Sequence, residues 1–433
     1  MRLPRAGQSA GLSVIAVGIL ITTACGGSSS SAYVENGQPL TFATFNPYTG
    51  PDASFGPENG SGCFAAIKSI AAAGGVLGHS TATCLAVDSR GDPADAVPAV
   101  QKMLATTTNL MEVQGPSSDE ASATAPIINA AHIPMFADTG QPIFDKSTFH
   151  YFWRIDPSDA YYGYAEALYA YDAGYRRAAL VFGNDISSQG TVPTITSAFQ
   201  KLGGTIAINQ TLTIGQSSYR SEASQVIAAN PDIIFTETDP QTAATFFGQL
   251  KQLHGVYPFI STGAQATQWI QAVTGTIGAD SLAQIYHECA GNASFSGPAW
   301  NEFNTNMLAS SADVQNPAQW TQDVYSAADY DGVIISALAM LAAKTTDPKV
   351  WNDYIPKVTT AGGSAQVVYT FADGKAALAA GKTISYSGSS GPVAWDQWHN
   401  SEGGFEILGY ASANGSQPIL KVYPAGAVNK LVS

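Results

Sequence analysis

The sequence is short of cysteine, histidine, basic residues and long apolar runs, and each shortage excludes a class of protein. Its 433 residues hold four cysteines, at positions 25, 63, 84 and 289, too few for a disulfide framework, so an apolar core must hold the fold. Six histidines, at positions 79, 132, 150, 254, 287 and 399, are scattered and form no H-E-x-x-H metal site. His287-Glu288-Cys289 has no partner ligands in view and reads as a connecting segment. Lysine and arginine total 19 against 33 aspartates and glutamates, and a net charge of −14 repels nucleic-acid phosphates and anionic lipid surfaces. Beyond position 25 no run is long enough to span a bilayer, and the Ala-rich Val333 to Ala343 reads as a buried helix. Catalytic signatures are missing too. "SGSSG" at Ser387 to Gly391 has the wrong spacing for a nucleophile elbow. Asp329-Tyr330-Asp331-Gly332 begins like a calcium loop but runs into apolar residues, so it reads as a helix start. "GGVLGH" at Gly74 to His79 precedes a strand and reads as a turn. These readings point away from an enzyme, a bound metal and a cofactor.

What is present begins with an export signal. Arg2 and Arg5 precede the apolar run Leu12 to Ile21, which leads into Thr22-Thr23-Ala24-Cys25. A cysteine directly after a small residue, followed by Gly26, Gly27 and Ser28 to Ser31, resembles a bacterial lipobox with a flexible tether. On that reading residues 1–24 are removed, Cys25 carries lipid, residues 25–38 are the tether, and the protein sits outside the cell membrane. An ordinary signal peptide cut nearby, with Cys25 incidental, stays open. The remaining chain exceeds what one core normally supports, so two lobes are expected. Cys63 lies early in an expected helix and Cys84 in the strand after it, so these two elements should pack and the pair is the first candidate for a bridge; buried free thiols are the alternative.

Strand-like and helical runs alternate along the chain. Leu40 to Phe45, Thr81 to Val87, Leu110 to Val113 and Ile133 to Phe136 read as strands, separated by helices near Pro57 to Ala73, Pro93 to Ala105 and Asp119 to Ala131. The pattern restarts after Asp156-Pro157, with strands Ala178 to Phe182, Ile206 to Thr211, Ile233 to Phe235 and Phe259 to Ser261 between helices. Repeated β-α-β order predicts an α/β fold with two parallel sheets in series. Open sheets of this kind hold ligands at the carboxyl ends of their strands. Those ends are polar here: Ser117-Ser118-Asp119, Thr139-Gly140-Gln141, Asn184-Asp185 and Glu237-Thr238-Asp239. Asp239 before Pro240 also suits a simple helix cap.

The stretches "TGPDASFGPENGSGCFAAI", "DSRGDPADAVPAVQKML", "YFWRIDPSDA", "YRSEASQVIAANPDIIFTETDPQTAATFFGQLKQL" and "GPVAWDQWHNSEGGFEILGY" together resemble the type I periplasmic binding proteins, in particular the leucine/isoleucine/valine-binding group. The resemblance covers roughly Leu40 to Tyr423. It implies two Rossmann-like lobes joined by a three-crossover hinge, with crossings near Asp156-Pro157, near residues 288–293 and near Ser385 to Gly391. The first lobe would comprise residues 39–157 plus 290–385, and the second 158–289 plus 386–433, with "VAWDQ" and "FEILGYA" finishing the second. It implies a monomeric receptor that binds a small molecule and hands it to an ABC permease, touching the membrane through its lipid alone. A ligand sensor of the same fold would use the same cleft.

Carried over by resemblance, the closing aromatic matches Phe55, the hydroxyl at the helix start Ser118, and the backbone and hydroxyl cluster Thr139, Gly140 and Gln141. In the second lobe two family aromatics fall on Gln189 and Thr238, and the acid that would hold an amino acid's ammonium falls on or beside Gly263. An ammonium buried unpaired costs several kcal/mol. The acids near second-lobe strand ends available to replace it are Asp185, Glu237 and Asp239. The expectation leans instead to a ligand without an ammonium, such as an amide or organic acid. The neutral set Ser118, Thr139, Gln141, Gln189 and Thr238 would hold it, with Phe55 over its apolar part.

Overall fold

Leu40 to Asn46 is apolar or small almost throughout, which suits a strand covered on both faces, and it takes a central place. In the computed structural model, which describes residues 37–433 apart from 51, 263–266, 292–294, 361, 402, 425–426 and 429–433, this strand is β1. It pairs in parallel with β2 (Ala82–Asp88) and β3 (Leu110–Ser117). β4 (Met135–Asp138) and β5 (Phe152–Trp153) extend the sheet to the order β2-β1-β3-β4-β5. The export signal, Cys25 and most of the tether lie outside the described residues.

A second sheet follows. β6 (Arg177–Gly183), β7 (Thr205–Leu212), β8 (Ile233–Glu237), β9 (Phe259–Thr262) and β10 (Tyr286–Gly291) are parallel neighbours. Helices between them start where expected: Asp239 caps the helix Pro240–Leu253 by accepting hydrogen bonds from the backbone N–H groups of Gln241 and Thr242, both at 3.0 Å. The chain then forms β11 (Gln366–Val368), β12 (Ile384–Gly388) and β13 (Gly391–Pro392), a small separate sheet. It ends in the antiparallel hairpin β14 (Phe405–Leu408) and β15 (Ile419–Tyr423), which completes the order β15-β14-β10-β9-β8-β6-β7. Each sheet has its own buried core, Phe42, Trp153, Tyr330 and Leu338 in the first and Phe182, Phe235, Phe259 and Trp269 in the second.

Two expectations are corrected. Asp329 to Gly332 does not start a helix; it lies inside the 20-residue helix Val324–Ala343, whose start is capped by Asp323 accepting from the Ser326 N–H at 2.7 Å. Asp331 is tolerated there because Tyr386, Ser389 and Ser390 all donate to it. The third crossing comes later than residues 385–391: Tyr386 and Val393 are buried in the first core, and Phe405 is the first return to the second. "VAWDQ" therefore stays with the first lobe, where Trp395 meets Trp153 edge-on at 5.1 Å and donates to Thr359 Oγ1. The first and third crossings run side by side, Arg154 N–H donating to the His399 carbonyl and Ser401 N–H to that of Arg154. Cys63 and Cys84 are bridged, tying the helix Ser61–Ala72 to β2, and Cys289 is a buried free thiol.

Candidate functional site

Polar residues collect where the carboxyl ends of both sheets face each other. The short helix Phe55–Glu58, the β3 end at Ser117 and Ser118, and the β4 end at Asp138 and Gly140 come from the first lobe. Asp159, Tyr162, Ser187, Glu237 and Thr262 come from the second, and Asp156 and Pro157 from the first crossing. The lobes touch directly: Asp119 Oδ1 accepts from the Ile186 N–H at 3.0 Å, and the Asp159 N–H donates to the Gly140 carbonyl at 2.7 Å. Gly140 and Gly190 permit that approach, because a Cβ at either would overlap the Asp159 carboxylate. A larger cavity of about 140 Å³ lies among the crossings, but backbone, small and apolar residues line most of it. The interlobe cleft, about 50 Å³, is smaller and far richer in functional side chains.

Its chemistry is acidic. Among the described residues five carboxyls line it, Glu58, Asp138, Asp156, Asp159 and Glu237, and no lysine or arginine does. Burial raises all five. Glu58 lies well above the usual carboxylate range, through burial and then the nearby Asp323. Asp138 is also held well above it, through burial reinforced by Asp156, and presses on Asp329. Burial takes Asp156 to about 8, with Asp323 adding to the shift and Arg154 opposing it. Asp159 reaches about 7 by burial against the opposing Arg154. Glu237 is raised by burial, then by Asp159 and Asp185. Arg154 does not neutralise the cleft, because its guanidinium is already held by Asp145, Asn400 and the carbonyls of Thr139 and Gln141.

Of the residues expected from the sequence, Phe55, Ser117, Ser118, Gly140 and Glu237 line this cleft. Thr139 sits just behind it, accepting from Ser118 Oγ at 3.3 Å. Gln141 and Gln189 instead line an outer groove at the lobe junction, their amides turned to the carbonyls of Ser118 and Gly183. Thr238 is buried beside Asp239, which acts as the helix cap, and Asp185 caps the short helix Ile186–Gln189. Gly263 lies outside the described residues. The expected neutral set is thus dispersed, and carboxyls take its place. Glu58, Asp138, Asp156 and Asp159 lie away from the second-lobe strand ends, where the sequence points to acids: at a short helix, a first-lobe strand end, a crossing and a helix start. Asp156 and Asp159 flank Pro157 and Ser158 at a crossing, and that placement was the available signal.

Residues 39–351 match the family model described as periplasmic binding protein. No curated protein sequence matches the chain closely enough to count as a relative. Among solved structures, a leucine-binding protein from Thermotoga maritima is similar at 18% identity and TM-score 0.70, over 89% of this chain and 99% of that one. A solute-binding protein of an ABC transporter from R. palustris, in complex with benzoate, is similar at 14% identity and TM-score 0.68, over 89% and 97%. A fatty acid ABC transporter substrate-binding protein from Thermomonospora curvata aligns at 13% identity and TM-score 0.69, over 92% and 96%. Two sheets with facing carboxyl ends, a cleft between them and a family match over most of the chain agree: it belongs to the periplasmic binding protein family, as an extracytoplasmic substrate-binding protein of the type I fold rather than an enzyme.

Proposed function

We propose that this protein is the receptor of an ABC importer, anchored to the outer face of the membrane through Cys25 and closing its two lobes over a small polar solute. The observation that carries the reading is the enclosed cleft, built from the strand ends of both lobes and bridged by the Asp119 to Ile186 hydrogen bond. A ligand held by both lobes stabilises the closed arrangement through its differential affinity for it. Solved neighbours are named for leucine, benzoate and fatty acid, a range too wide to choose the solute for this chain.

Deletion of the gene should abolish uptake of one solute class, and scattering on the purified protein should show compaction when that solute is added. Uptake unchanged by the deletion would remove the transport role; an unchanged radius at saturation would remove closure. The anchor is tested separately. Wild type should partition into detergent, Cys25→Ala should not, and multiple acyl chains should make the wild-type association resist washing. Equal partitioning of the two would remove the lipid.

A further inference from the structure

Burying a carboxylate without a cation or donors is costly, and the usual outcome is a proton taken up or a partner supplied. Glu58 is the sharpest case. It is 1% exposed and lines the cleft, and the only side chain its carboxyl engages among the described residues is a second acid, Asp323. Its ionisable neighbours are further acids, Asp323, Glu288 and Asp156. Across the cleft, Asp159 keeps Oδ2 without a partner, and Glu237 is 7% exposed beside Asp159, Asp185 and Glu166. Unmatched acid therefore faces the cleft from both lobes.

A carboxylate-bearing solute finds no cationic partner among the described lining residues. The helix Ser118–Ala130 could offer its first N–H groups to an anion, but its first turn carries Asp119 and Glu120, and Ser117 Oγ is turned to Glu120. Asp52, Asp119 and Asp185 crowd the seam outside, so the approach is negative as well. A metal ion is a poor fit: among the described residues no group of three or more His, Cys, Asp or Glu side chains is placed to hold one. One ammonium would match only one side of the cleft.

Resting on the reading of this cleft as the solute site, we infer that the solute is an organic cation, a slender aliphatic molecule with at least two ammonium or guanidinium groups and no carboxylate. Glu58 and Asp156 hold one charged end, and Asp159 and Glu237 the other. Each end then pairs acids of different segments, so the cation draws the protons off these carboxyls and ties the two lobes together through its two ends.

The test is a melting and calorimetry panel on the mature chain with 1,4-diaminobutane, 4-guanidinobutylamine, n-butylamine, leucine, benzoate and magnesium ion. A diamine-type probe should bind at micromolar concentration, with n-butylamine weaker by about tenfold or more. Binding should release protons and tighten from pH 6 to 8, as Asp156 and Asp159, raised by burial and faced by Arg154, Asp145, Asp138, Asp323, Asp329, Glu58, Glu166, Glu237, Tyr162 and Tyr325, give up theirs. Glu58→Gln and Glu237→Gln should each weaken it about tenfold or more, and the exposed Asp95→Asn not at all. Failure of both diamine-type probes at millimolar concentration overturns the inference, with no variant involved. Saturable compaction by leucine or benzoate overturns it while leaving the receptor reading intact, and a shift with magnesium alone replaces it with a metal site.

Discussion

The two lobes carry the same α/β layering but are stabilised differently. The second is built mainly from one continuous stretch, β6 to β10 with their helices, and its central strands β6, β8 and β9 are buried end to end apart from Arg177. The first is assembled from distant pieces. Its sheet needs the late helix Val324–Ala343 on one face, packed against the helix Ser61–Ala72, and a disulfide to hold that second helix to edge strand β2. The same contrast appears in the cleft. Glu237 and Asp159 arrive from a strand end and a helix start within one contiguous stretch, whereas Asp138 at the end of β4 meets Asp329 behind the cleft only because the chain returns as the helix Val324–Ala343. A lobe made of remote segments depends more on cross-links and long-range packing.

The sharpest way to test that contrast is to remove one core side chain from each lobe. Phe235→Ala in the second, where Phe199 stacks edge-on at 5.6 Å, should cost about 3–5 kcal/mol, and Leu338→Ala in the first about 2–5. Calorimetry should show two transitions, each lowered by its own variant. A single transition lowered equally by both would mean that the lobes unfold as one unit. Next in size is the bridge. Replacing Cys63 and Cys84 together by alanine releases a loop of separation 21 and should remove about 3 kcal/mol from the first-lobe transition alone. If the second-lobe transition falls equally, the bridge is not local.

The cleft acids should make the empty protein pH-sensitive. Asp156, at about 8, and Asp159, at about 7, hold protons more tightly folded than unfolded, so the folded chain binds more protons between about pH 4 and 8. Stability should therefore fall as pH rises through that window, by more than about 2 kcal/mol for the pair. Asp159→Asn should remove its share of the fall between about pH 4 and 7 and leave the slope from Asp156 up to about pH 8. A melting temperature that climbs from pH 5 to 8 would mean that these groups are paired in the empty protein. The smallest effect belongs to Asp239: its replacement by alanine should cost about 1 kcal/mol as a lost cap and leave cleft binding unchanged. A loss of binding would show that Asp239 reaches the solute after all.

The order of strands and helices, the two parallel sheets and the elements that carry Cys63 and Cys84 are all legible in the residues alone. Strand runs, prolines and caps such as Asp239 act over a few residues, so they can be read without knowing the fold. Polar strand ends were legible for the same reason, and Ser117, Ser118, Gly140 and Glu237 do reach the cleft. Their orientation was not. Gln141 and Gln189 sit at comparable turns yet face the outer groove, because each amide finds a nearby carbonyl. The acidic character of the site arises from the folded arrangement. Residues 58, 138, 156, 159 and 237 become neighbours through the crossings, and burial without a matching cation, a property of that convergence and of no single segment, raises their proton affinity.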